Sequence, residues 1–146
     1  MKIKGKKMKY KKKKLSFSEY GRKLSLLYLK IREEVKKIDL IYGIPRGGLP
    51  IATYLSHHLE TGLITDLDRV KEYIKSKRIL IVDDISDTGN TFNNFPKEIL
   101  TNNNCVTATI FYKPHSMYKP NYYVDEVNNN LWIVFPYERY DSEINR

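Results

Sequence analysis

Apolar residues recur at helical spacing from Phe17 through Tyr20, Leu24, Leu27, Tyr28 and Ile31 to Val35, and a stripe of that period predicts an amphipathic helix. Ser16 followed by Glu19 is the capping-box pattern that would start it. The pattern then changes to short apolar runs bounded by turn residues, at 38–42, 62–65, 78–82 and 105–112, each predicting a buried strand. Between them Pro50 suits the first turn of a helix reaching about Leu59, and Leu67, Val70 and Ile74 suggest a turn or two of helix. Residues 83–90 read as a loop and 91–100 as a further helix. Runs at 122–127 and 131–135, separated by Asn128-Asn129-Asn130, predict two strands paired as a hairpin. Strands alternating with helices predict an α/β fold, a mostly parallel central sheet flanked by helices, with ligands gathering at the carboxyl ends of the strands.

A chain of 146 residues can enclose one such sheet and is too short for two. Its net charge of +9 suggests a nucleic-acid binder until the charge is located. Residues 1–14 hold nine lysines and no acid, and basic and acidic side chains balance over the rest. Dense like charge with little apolar content predicts a solvated, disordered tail over 1–14, dispensable for activity and holding polyanions loosely at most. Residues 15–146 are then a single domain. No apolar run approaches the length of a membrane span, and the lysine-rich start lacks the apolar stretch of a signal peptide, so a cytoplasmic protein is expected. The single cysteine, Cys105, cannot form an internal disulfide and reads as a buried small hydrophobe.

The candidate chemistry lies in residues 79–91. The run Ile79-Leu80-Ile81-Val82 delivers Asp83 and Asp84, and Ile85-Ser86-Asp87-Thr88-Gly89-Asn90-Thr91 then leads into a helix. Amides in a glycine-containing turn before a helix point outward and favour a phosphate group. Thr88 and Thr91 add hydroxyl donors, and Gly89 lets the backbone close around the oxygens. Adjacent carboxylates are unfavourable unless a cation or a diol occupies them, and a ribose diol or a hydrated Mg²⁺ matches such acceptors. Neither of the familiar nucleotide loops, Gly-x-x-x-x-Gly-Lys-[Ser/Thr] or Gly-x-Gly-x-x-Gly, explains the stretch.

These residues resemble the phosphoribosyl pyrophosphate signature of the type I phosphoribosyltransferases, in which apolar residues precede Asp-Asp and an Asp-Thr-Gly-x-Thr turn. The resemblance implies that Asp83 and Asp84 bind the ribose hydroxyls directly or through Mg²⁺. It also implies that residues Asp87, Thr88, Gly89, Asn90 and Thr91 hold the 5′-phosphate and that Asp87 faces the nucleophilic nitrogen of the base. Gly43-Ile44-Pro45-Arg46-Gly47-Gly48 resembles the family's pyrophosphate loop, with Arg46 and Gly47 at the leaving group. A guanidinium suits that place because it binds two phosphate oxygens at once and stays charged.

The carboxy-terminal third is similar to bacterial xanthine-guanine phosphoribosyltransferases, in Lys113-Pro114 and in Trp132-Ile133-Val134-Phe135-Pro136-Tyr137-Glu138. That likeness implies a small C-terminal hood and a purine site. Lys113 would donate to the exocyclic oxygen of a 6-oxopurine, Trp132 would stack on its ring, and backbone carbonyls near Trp132 and Ile133 would accept from a 2-amino group. The expected activity is transfer of the phosphoribosyl group to guanine, xanthine or hypoxanthine in purine salvage, by a homodimer or higher homo-oligomer. One departure stands out. The family's long mobile loop before the signature strand is reduced here to residues 66–77, without its Ser-Tyr pair.

The shortened loop and the basic tail keep two alternatives open: a regulatory protein that senses phosphoribosyl pyrophosphate and binds nucleic acid, and a transferase for a non-purine acceptor. His57-His58, His115 and the pair Asp125-Glu126 receive no site role. Adjacent helical positions do not converge on one metal, adjacent strand residues point to opposite faces, and His115 has no carboxylate neighbour in sequence.

Overall fold

The computed structural model describes residues 9–34 and 37–139. Residues 1–8 of the expected tail, and Val35 at the end of the first apolar stripe, lie outside the described residues. In chain order the elements are β1 (Lys11–Lys14), α1 (Phe17–Glu34), β2 (Leu40–Gly43), α2 (Gly48–Leu59), β3 (Gly62–Leu63) and α3 (Leu67–Val70). They continue with β4 (Arg78–Ser86), α4 (Asn90–Asn93), α5 (Lys97–Asn102), β5 (Asn104–Tyr112), β6 (Tyr122–Glu126) and β7 (Leu131–Val134).

Five strands form one sheet in the order β3-β2-β4-β5-β6, and every pairing in it is parallel. The alternation of β4 explains why both faces must be covered. Leu80 and Val82 join the cluster built with Leu24, Leu27 and Ile31 of α1 and Ile51 and Leu55 of α2. Ile79 and Ile81 pack on the opposite side with Phe92, Phe95 and Ile99. A strand buried on both faces reads as a continuous apolar run, as 79–82 does.

The capping box is present: the Ser16 hydroxyl accepts from the Glu19 amide at 3.0 Å and the Glu19 carboxylate accepts from the Ser16 amide at 3.3 Å. Phe17, counted in the apolar stripe, instead projects into solvent at 72% exposure. It stands at the first helical position, a turn before the stripe reaches the sheet.

Four further expectations are corrected. The helix expected at 91–100 is two short ones, because Pro96 cannot donate its amide and pushes Phe95 away from helical dihedrals. The strand expected to stop at Val82 continues to Ser86, since β5 goes on pairing with it through Asp83↔Thr109, Ile85↔Phe111 and Ser86↔Tyr112. The expected hairpin of the last two strands does not form: β6 extends the main sheet alongside β5, and β7 leaves it. Trp132, Ile133 and Val134 are all buried, and β7 pairs with another strand. That partner is β1. Lys11–Lys14, expected within a disordered tail, pairs in parallel with β7 through Lys11↔Leu131 to Lys14↔Val134, and Leu15 behind it is fully buried. Among the described residues no helix is long and apolar enough to cross a membrane.

Candidate active site

The carboxyl ends of β2 and β4 open into one cavity of about 840 Å³. Its lining gathers Arg46 and Gly47 after β2, residues 83–92 at the end of β4, and Tyr10, Trp132 and Tyr137 from the β1–β7 layer. A smaller depression around Asp39, Arg78 and Asn103 lies at the amino-terminal edge of the sheet, where Asp39 accepts from the Arg78 amide. That bond, with nearby lysines, holds its carboxyl below the usual range. It gathers no acidic pair or glycine turn.

The two acidic residues of β4 have different surroundings. Asp83 is half-buried, and its carboxylate accepts from the Asp84 amide at 2.8 Å. Asp84 is 7% exposed and accepts from the Tyr137 hydroxyl at 3.1 Å. Gly47 presses on it from the facing loop: a Cβ there would lie 2.1 Å from the Asp84 carboxylate. A residue other than glycine would therefore displace the Asp84 carboxylate. Tyr137 is held by Tyr20 and Phe135, and burial, reinforced by the Asp84 charge, raises both tyrosine hydroxyls well above their ordinary range. Both stay protonated, so Tyr137 remains a donor to Asp84. The Pro45–Arg46 peptide preceding Gly47 is cis, and Arg46 is exposed on the cavity wall.

The turn from Asp87 to Thr91 is shaped by Gly89, which adopts φ +89° at the start of α4. A side chain there would also meet the Tyr118 amide at 2.5 Å. The loop after β5 braces this turn: the Met117 amide donates to the Thr88 carbonyl at 2.8 Å, and the Ser86 and Ser116 hydroxyls lie 2.8 Å apart. Thr88, Asn90 and Thr91 are exposed towards the cavity.

Asp87 sits between two basic side chains. Lys113, only 1% exposed, reaches it at 3.2 Å, and the Nε2 of His115 lies 2.8 Å from its other oxygen. His115 is thus a site neighbour that the sequence did not reveal; its carboxylate partner comes from a distant strand end.

The model of the family described as "Phosphoribosyl transferase domain" matches residues 60–142, more than half of the chain. The chain belongs to the phosphoribosyltransferase family. It is 30% identical over 128 residues to a hypoxanthine-guanine phosphoribosyltransferase of Lactococcus lactis, covering 71% of this chain and 69% of that protein. The crystal structure of a purine phosphoribosyltransferase from Pyrococcus horikoshii superposes with a TM-score of 0.76 at 30% identity, covering 92% of this chain and 99% of that one. The xanthine-guanine-hypoxanthine phosphoribosyltransferase of Helicobacter pylori shares the fold, with a TM-score of 0.73 at 20% identity over 88% of this chain and 94% of that one.

Within this phosphoribosyltransferase the fold brings most of the sequence-derived site residues to one place. Arg46, Gly47, Asp83, Asp84, Asp87, Thr88, Gly89, Asn90, Thr91 and Trp132 all line the cavity. Lys113 stands one layer back, behind Asp87 and Tyr10. The side chain of Ile133 belongs to the main core, which leaves only its backbone for any site role. The Lys11 amide donates to the Asn130 carbonyl and the Leu15 amide to the Val134 carbonyl. Alternation along that ladder turns the Trp132 carbonyl towards β1 and the Ile133 carbonyl away from it. Residues 66–77, the shortened loop, do not line the cavity, and Leu67, Val70 and Ile74 pack on the second core cluster.

Proposed function

We propose that this phosphoribosyltransferase transfers the 5-phosphoribosyl group from phosphoribosyl pyrophosphate to a 6-oxopurine, releasing pyrophosphate, and serves purine salvage in the cytoplasm. The observation that carries the reading is the convergence of the Asp83–Asp84 strand end, the Gly89 turn and the Arg46 loop on one cavity that Trp132 also lines. The name of the Lactococcus relative gives 6-oxopurines, and that of the Pyrococcus protein gives purines.

In this reading the 5′-phosphate sits on the turn from Asp87 to Thr91, where exposed hydroxyls and outward amides supply donors. Arg46 and the Gly47 backbone take the pyrophosphate, and Asp83 and Asp84 take the ribose diol. The same carboxylates suit Mg²⁺, an ion that binds through one or two carboxylates and completes its shell with water and substrate phosphates. Mg²⁺ would supply charge neutralisation on the leaving pyrophosphate.

Departure of pyrophosphate leaves positive charge on the sugar, and fixed donors and carboxylates placed before the reaction stabilise such charge without reorganising. Asp87 accepts the proton that leaves the base nitrogen. Lys113 and His115, within 3.2 and 2.8 Å, hold its carboxylate in place, and Lys113 donates to the exocyclic oxygen. The buried Lys113–Asp87 pair favours the enzyme over a sensor that merely retains the fold, because sensing phosphoribosyl pyrophosphate requires no residue that reads a base. The test is pyrophosphate release with phosphoribosyl pyrophosphate and Mg²⁺ against guanine, xanthine, hypoxanthine, adenine and uracil. Turnover is expected with at least one 6-oxopurine, and turnover with uracil alone would reject the assignment.

A further inference from the structure

Nothing in the sequence marks Tyr10 as a site residue, since it stands among lysines ahead of the first helix. The structure puts it on the cavity wall. Its ring meets Trp132 edge-on at 5.4 Å between centroids, and the Lys113 ammonium lies 5.2 Å from the same ring centroid. Tyr10 thus touches both side chains proposed to read the base.

Its position is set by the backbone. Lys11, the next residue, donates its amide to the Asn130 carbonyl at 2.9 Å and opens the four-residue ladder with β7. β7 carries Trp132, so the two aromatic rings are fixed on neighbouring strands. Lys113 is 1% exposed and its charge needs compensation. Asp87 supplies an ion pair on one side, and the electron-rich Tyr10 face is a second partner. Tyr10 brings a hydroxyl to a wall where a base has a polar rim.

We propose that Tyr10 is a specificity-determining residue of the acceptor site, closing the base end of the cavity and holding the Lys113 ammonium in place, so that strand β1 is part of the active site. This rests on reading the cavity as the site for phosphoribosyl pyrophosphate and a 6-oxopurine. The ring fixes how far a base can enter beside Trp132, and its contact with Lys113 fixes where the donor points. Losing the ring frees the ammonium and widens the wall together, so discrimination among bases falls along with affinity.

The experiment uses the full chain and its Tyr10→Leu and Tyr10→Phe variants, with steady-state transfer to the same panel of bases and thermal melting of each protein. Tyr10→Leu should raise KM for the preferred base roughly three- to thirty-fold, the range of a partly desolvated cation–π contact. It should leave KM for phosphoribosyl pyrophosphate unchanged and compress the differences between bases. Tyr10→Phe keeps the ring and should stay closer to wild type. The chain has one tryptophan, Trp132, so its fluorescence should change in Tyr10→Leu without ligand. An unchanged base KM and ranking in Tyr10→Leu would overturn the assignment, as would an equal rise in KM for both substrates with a lowered melting temperature. A fall in base KM would also overturn it, making Tyr10 a plug. If the wild type transfers to no purine, the proposed function fails and this inference with it; if wild type transfers normally and Tyr10→Leu matches it, only this inference fails.

Discussion

At the scale of single residues, Asp83 and Asp84 accept from neutral donors. Asp84 is buried yet served by the Tyr137 hydroxyl, and Asp83 accepts the Asp84 amide, so their replacement by isosteric amides keeps every acceptor that these donors use. Asp83→Asn with Asp84→Asn should therefore leave the melting temperature nearly unchanged while lowering transfer by at least about a hundredfold, the scale of losing a preorganised electrostatic group; wild-type turnover in the double variant would remove the pair from the site. Lys113→Met separates the two substrates. The stem keeps its volume, Asp87 retains His115 at 2.8 Å, and the lost charged hydrogen bond is worth roughly 1.5–3 kcal/mol. KM for the base should thus rise tens-fold while KM for phosphoribosyl pyrophosphate does not, and equal rises would place Lys113 elsewhere. The acidic residues and Gly89 were legible because they lie within one short stretch whose order has a chemical meaning. His115 and Tyr10 were not, since their partners stand 28 residues or more away in the chain and only the fold joins them.

Among elements, legibility followed how much of each strand or helix is decided locally. The capping box at Ser16 is a contact over three residues and was readable as such. Ser16→Ala removes the side-chain acceptor of that cap and should lower the melting temperature by about 2–4 °C. The Glu19 carboxyl is held below its usual pKa, first by the Ser16 amide. A carboxyl depressed by folding contributes stability above its unfolded pKa and loses it as pH falls through the folded one. Glu19→Gln removes that charge while keeping an acceptor, so the gap in melting temperature between wild type and Glu19→Gln should narrow on acidification into that range, as melting curves at neutral and acidic pH would show. The partners of β6 and β7 were not readable. An asparagine turn between two apolar runs fits a hairpin equally well, and only long-range partners, β5 for β6 and β1 for β7, take its place. The same holds for Lys11–Lys14, whose composition predicts solvent on all sides but whose backbone has a partner waiting. A strand needs only its amides and carbonyls to join a sheet, and lysines at its edge can keep their charges in water.

For the whole molecule, charge is concentrated at one end, and the proposed acceptor wall draws Tyr10 from that end. Removing residues 1–14 takes away β1 and Tyr10, whereas removing residues 1–8 leaves both. The longer deletion should lower the melting temperature and raise KM for the base, and the shorter one should do neither; equal, wild-type behaviour of both truncations would return Lys11–Lys14 to the status of a tail. The pairing of β1 with β7 also joins positions about 120 residues apart, a closure that ordinary chain entropy makes slow and late. On the ribosome the first strand emerges with nothing to pair with, and it must wait for Leu131 to leave the exit tunnel. Strands β2 to β5 and both proposed phosphate loops are complete in sequence by Tyr112, so a nascent chain carries them well before the strand that holds Trp132. Translation that stops short of β7 would release a chain without Ile133, Phe135 and Tyr137, and so without part of the main core and the hydroxyl that serves Asp84.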